Sequence, residues 1–146
     1  MKVGHGAAYA PSVRPREYIM ERSIMKLKTI AIASVHAFVG WLLCAATMGV
    51  SSSLTSMSNA LYIHATLAPI FFFLISAYYF KKYGQLSPLQ TAFFFTAFVM
   101  FVDFFFVALF ILRSHEMFGS ILGTWIPFIL IFSSTYLAGI SINRKS

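Results

Sequence analysis

Four long runs of apolar residues alternate with short polar breaks along this chain, at residues 29–50, 60–80, 89–112 and 120–142. At 1.5 Å of rise per residue, a helix of about 20 residues crosses a hydrocarbon core of roughly 30 Å. The pattern predicts an all-α polytopic membrane protein, a compact four-transmembrane-helix bundle. The breaks carry signals of their own. Tyr83-Gly84 closes the second run, where glycine suits a helix C-cap. Ser87-Pro88-Leu89-Gln90 opens the third with a capping-box pattern and proline at the first helical position.

Within each run, polar and small residues return every three or four positions. The first has Thr29, Ala33, His36, Gly40 and Thr47, and the second Tyr62, Thr66, Pro69 and Ser76. The third has Thr96 and Asp103, and the fourth Ser120, Thr124, Pro127 and Ser134. One such stripe per helix is expected to face the bundle interior, leaving phenylalanine to dominate the outer surface. Gly119-x-x-x-Gly123, Ala33-x-x-x-Ala37 and Gly40-x-x-x-Cys44 permit close approach of neighbouring backbones. The second and fourth runs also echo each other: Thr66, Pro69, Ser76 and Tyr78 recur at the same offsets as Thr124, Pro127, Ser134 and Tyr136. Either duplication of a helical hairpin or coincidence between two proline-containing apolar helices accounts for this. The first and third runs show no echo, since Ala45 stands where Asp103 would be matched.

The segment before the first run divides at Pro11 and Pro15. Residues 1–16 read as disordered. Over residues 17–28 charges alternate with Ile19, Met20, Ile24 and Leu27, and Met20, Ile24 and Leu27 share a helical face. An interfacial helix leading into the first span and a flexible basic tail are both open. The chain thus divides into a basic tail (1–28), a membrane domain (29–142) and a stub (143–146).

Composition narrows the classes. The 146 residues are 59% hydrophobic and 10% charged, with mean hydropathy +0.79, which leaves no room for a soluble catalytic domain. Lysine and arginine are unevenly placed. Lys2, Arg14, Arg16, Arg22, Lys26 and Lys28 precede the first span, Lys81 and Lys82 follow the second, and Arg144 and Lys145 close the chain. Only Arg113 falls in a break on the other side. The positive-inside rule then places both termini in the cytoplasm. The net charge of +7 reflects this topology and an attraction to anionic lipid headgroups. The basic residues form no nucleic-acid-binding stripe. The single Cys44 excludes an internal disulfide, and Leu43 is too large for a lipoprotein signal ending at that cysteine. The run before Ser51 is longer than the apolar core of a cleavable signal peptide, so it is read as a span.

Candidate chemistry centres on Asp103, the one charge within the third run. An intramembrane carboxylate is expensive and normally faces protein or water, which makes it a candidate functional group. A neutral carboxyl can donate a hydrogen bond, and one that titrates can carry a proton. By helix rise Asp103 lies about 21 Å into its span, with Thr124 and Thr66 at similar depth and His64 slightly nearer the outer surface. His36, Ser76, Thr96 and Ser134 gather in the inner half, giving two polar layers. His64 matches Asp103 in depth but projects from the face opposite Thr66 and Ser76, and both faces cannot look straight into one core. For the serines and threonines, ordinary interhelical hydrogen bonding is the plainer reading. His36 and His64 stand about 14 Å apart along the membrane normal, too far to ligate one haem within a monomer. No cofactor and no metal site are expected, since one cysteine, scattered histidines and a lone aspartate form no ligand cluster. There is no nucleophile motif, no phosphate-binding glycine loop and no pair of acids. His115-Glu116 beside Arg113 reads as a solvated turn.

The stretches Ala68-Pro69-Ile70-Phe71-Phe72-Phe73, Pro88-Leu89-Gln90-Thr91-Ala92, Asp103-Phe104-Phe105 and Leu122-Gly123-Thr124-Trp125-Ile126-Pro127-Phe128, within residues 64–139, resemble a family of uncharacterised small prokaryotic four-span integral membrane proteins. The resemblance covers about half the chain and implies a prokaryotic cytoplasmic (inner) membrane setting, with no activity, ligand or partner attached. The membrane-embedded glutamate of small multidrug exporters is missing from the first span. Taken together, the sequence predicts a non-enzymatic membrane protein of binding or transport type that moves a proton, ion or small solute using Asp103. The alternative is a non-catalytic accessory or structural subunit, in a homo-oligomer or a larger membrane complex.

Overall fold

The computed structural model describes residues 15–106 and 121–143. Of the tail expected to be disordered over residues 1–16, residues 1–14 lie outside the described residues, as do the turn with Arg113, His115 and Glu116, the positions Gly119 and Ser120, and the closing Arg144-Lys145, whereas residues 15 and 16 belong to a helix. Four helices are long and apolar enough to cross a membrane, and the fold is an all-α bundle.

Helix α1 (Pro15–Leu54) has 40 residues. Its length of about 60 Å is twice a hydrocarbon core. The basic segment 17–28 is helical rather than a loose tail and continues without a break into the first span. At the other end, the polar loop expected at residues 51–59 shrinks to Thr55-Ser56. The reason is local. Ser52, Ser53 and Thr55 turn their hydroxyls back onto the carbonyls of Gly49, Val50 and Ser51, at 3.1, 2.8 and 2.9 Å. A hydroxyl satisfied in this way lets a serine-rich stretch stay helical.

Ser56 then caps α2 (Met57–Lys82) by accepting from the Asn59 N–H. The helix stops where predicted: Gly84 takes φ +49°, and the N–H groups of Tyr83 and Gly84 both donate to the Tyr79 carbonyl. The capping box before α3 (Pro88–Val102) is reciprocal, with Gln90 N–H donating to Ser87 Oγ and Ser87 N–H to Gln90 Oε1. Beyond Val102 the backbone passes into a π-helical turn over residues 103–106. A second π-helical turn, Ile121–Trp125, leads into α4 (Ile126–Asn143).

Around the bundle the helices follow the order α1–α2–α4–α3, so α2 and α3 face each other across the diagonal. Large aromatics fill that diagonal. Phe72 and Tyr79 of α2 meet Phe95 of α3 with ring centroids 6.2 and 5.9 Å apart, and all three are fully buried. Small residues set the spacing of the neighbouring pairs. A methyl group on Gly40 would come within 2.6 Å of the Phe72 ring. One on Gly139 would meet Pro88 at 2.7 Å and Phe80 at 2.8 Å, which brings α4 against both α3 and α2. Ala33, Ala37 and Cys44 are buried in the same α1 seam, as the close-approach motifs predict.

The echoing helices α2 and α4 are adjacent and run parallel, since Ser76 and Phe80 meet Thr135 and Gly139 towards their C-terminal ends. A two-fold axis along the membrane normal relating hairpin α1–α2 to α3–α4 would place α2 and α4 on a diagonal. The echo therefore does not come with that symmetry.

Candidate functional site

A carboxyl in hydrocarbon needs a donor, and Asp103 has one on a different helix. The indole Nε1–H of Trp41, in the middle of α1, donates to Asp103 Oδ1 at 2.7 Å. Asp103 stands at the C-terminal cap of α3, with φ −61° and ψ −43°, where the α-helix passes into its π-helical turn. The indole is held in turn by stacking on Phe38 (5.7 Å) and by a tilted contact with Phe106 (6.3 Å). Cys44, buried one turn along α1, lies within electrostatic reach of the carboxyl. The bond thus ties α1 to α3 at one side of the bundle. It serves either protonation state of the acid, because the indole only donates and both forms offer an acceptor oxygen.

Trp41 was not among the residues singled out from the sequence. The signal was present: an indole N–H buried within a span needs an acceptor, and no other carboxylate lies within any run. His64, the histidine matched to Asp103 in depth, makes no hydrogen bond with it. It is half-buried on α2 with its Nδ1 enclosed and unpartnered.

The inward face of α2 also differs from the stripe read in the sequence. It is formed by Ala65, Ala68, Phe72, Ser76 and Tyr79. Thr66 and Tyr62 lie outside it and are exposed, with Thr66 Oγ1 donating to the Tyr62 carbonyl at 2.9 Å. Polarity misled here: a threonine can satisfy its hydroxyl on its own helix and face lipid, while alanine lets the backbones close together. On the helical wheel His64 flanks the true inward face, nearer to it than Thr66.

The remaining candidates are dispersed. Ser76 Oγ donates to Thr135 Oγ1 at 3.2 Å across the α2–α4 seam, while Ser134 bonds back to the Ile131 carbonyl. Thr124 is wholly buried and engaged, and the Thr96 hydroxyl is enclosed without a partner. His36 Nδ1 lies 2.7 Å from the Ile32 carbonyl, an acceptor only, so this nitrogen carries the proton. Its ring sits among Tyr78, Tyr79 and Tyr83 at 5.9, 5.5 and 5.4 Å. The Tyr79 hydroxyl is enclosed near the Leu86 backbone without completing a hydrogen bond. Among the described residues, no three of His, Cys, Asp and Glu come together to hold a metal ion. No known protein family, characterised protein or solved structure matches this chain.

Proposed function

We propose that this protein is a non-catalytic subunit of a membrane assembly, a homo-oligomer or a larger complex, in a prokaryotic cytoplasmic membrane. One observation carries the reading. α1 continues well past the length that a bilayer covers, and there Met20, Ile24 and Leu27 stay 61%, 59% and 67% exposed on one face. The stripe runs on through Ala31 and, seven residues later, Phe38 and then Leu42, close to the period of a helix–helix seam. Two copies in one membrane share an orientation and so present parallel α1 helices. In that register Arg16 of one copy would face Glu21 of the other across the seam. The filled diagonal of Phe72, Tyr79 and Phe95 also favours packing over passage through a single copy.

The test is the protein's size and company when extracted from native membranes in a mild detergent. A dimer, or a stable complex, is expected, with Ile24→Glu releasing the single chain. A wild-type chain that is monodisperse and monomeric would overturn the proposal.

A second reading, movement of a proton or cation by way of Asp103, is favoured by the π-helical turn at that residue, since such turns occur frequently at functional sites. The wild-type protein and Asp103→Asn, reconstituted alone in liposomes with a pH-sensitive dye, separate the two readings. Flux by the wild type that is lost in the folded variant supports this second reading, and no flux by the wild type excludes it.

A further inference from the structure

A groove of about 350 Å³ runs between α1 and α2 on the outer face of the bundle, lined by Val35, His36, Val39, Leu74, Ile75 and Tyr78. Its walls are aliphatic over most of their length and aromatic at one end. At that end Lys82, the last residue of α2, donates from Nζ to the Tyr78 hydroxyl at 3.1 Å. The same ammonium lies 5.6 Å from the centroids of both the Tyr78 and Tyr83 rings. It is therefore held at the rim of the groove rather than left to wander in solvent.

The second wall ends in the same way. Lys28 precedes Val35 by seven residues, two helical turns, so it projects from the face of α1 that lines the groove, about 10 Å towards the same end. Lys81 follows Leu74 at the same interval on α2. The described acids on this face of α1 are Glu21 and Glu17, two and three turns further out than Lys28. An apolar trough thus opens onto a cluster of cations at the level where a span of about 20 residues leaves the hydrocarbon.

We propose that this groove binds one anionic glycerophospholipid, with an acyl chain along Val39 and Leu74 and the phosphate at Lys28 and Lys82. Charge complementarity selects the occupant. A neutral or zwitterionic lipid gains the apolar contact alone, whereas an anionic headgroup also meets cations at the mouth. The proposal stands apart from the assembly reading, because α1 and α2 of a single copy build the site.

The full-length chain, purified in neutral detergent, is given equal amounts of phosphatidylglycerol and phosphatidylcholine with identical chains, and the bound lipid is read by native mass spectrometry. One phosphatidylglycerol per chain is expected, preferred about tenfold. Val39→Phe and, separately, Val35→Phe alter only groove-facing positions and should cut retention of both lipids. Tyr78→Phe combined with Lys82→Gln leaves Lys28 and Lys81 in place and should reduce the preference about fivefold while chain binding survives. Equal retention of the two lipids by the wild type overturns the proposal. So does a preference left undiminished in the charge variant, or retention unaffected by both valine variants with helicity intact. Inorganic phosphate is the remaining probe: if it alone displaces the bound lipid, the mouth is a soluble-anion site and the lipid proposal fails.

Discussion

Asp103 and Trp41 each present a polar group that hydrocarbon cannot satisfy, and each satisfies the other. A lone aspartate at the centre of a spanning helix costs about 2.5–3.5 kcal/mol on insertion scales. The indole bond offsets part of that, and breaking it from one side only leaves the other group stranded. Asp103→Leu and Trp41→Phe are each expected to lower stability by about 1–3 kcal/mol. The double variant should lose less than the sum, with a coupling of at least about 0.5 kcal/mol. Unfolding in detergent read by circular dichroism checks this, and additive losses would show that the bond contributes nothing. Asp103→Asn keeps an acceptor for the indole and should retain most of the stability. Comparing its thermal stability with that of the wild type between pH 4 and 9 tests whether the carboxyl titrates. A wild-type transition absent from the variant shows that it does, and parallel curves show that one protonation state holds throughout.

At the scale of the elements, the bundle depends on a few positions where a side chain has no room. Gly40 receives the Phe72 ring, whereas a methyl group added to Gly49, nine residues along the same helix, would have nothing within 4 Å. Gly40→Ala is therefore expected to destabilise by about 1–3 kcal/mol through overpacking. Gly49→Ala should instead be neutral or stabilising by up to about 1 kcal/mol, since alanine is the better helix former. Melting temperatures of the two variants measured side by side decide the matter, and equal shifts would contradict the close α1–α2 approach. The capping box before α3 makes a separate prediction. Ser87→Ala removes the acceptor for the Gln90 N–H and should cost about 1 kcal/mol, seen first as faster amide exchange over the opening turn of α3. Both ends of the short α2–α3 connection were legible from sequence, because Gly84 and Ser87-Pro88 act through local backbone geometry.

For the whole molecule, the positive-inside rule gives an expected orientation. Lys81 and Lys82 lie at the same end of the bundle as the basic first part of α1, and Thr29 Oγ1 donates to Gln85 Oε1 at 2.6 Å across that end. Reporter fusions after Gly84 and Ser146 are expected to read cytoplasmic, and fusions after Ser53 and Glu116 external. An external C-terminus would reverse the orientation. The extension of α1 beyond the membrane has its own expected consequence: truncation before Met25, which removes Met20 and Ile24, should leave the bundle folded while weakening self-association.

The sequence by itself determined the number of spans, the C-terminal end of α2, the start of α3, and the small-residue seam of Ala33, Ala37, Gly40 and Cys44. Those features follow from span length, from caps that act within a few residues, and from the absence of a side chain, all of which are local properties. Tertiary structure alone decided the neighbour order α1–α2–α4–α3 and, with it, the partner of Asp103. Depth along a helix is readable from residue counts, but azimuth is not, because a threonine such as Thr66 can satisfy itself on its own helix and turn outward. Only the packed arrangement could show that the carboxyl meets an indole on α1 rather than the imidazole of His64 at matching depth.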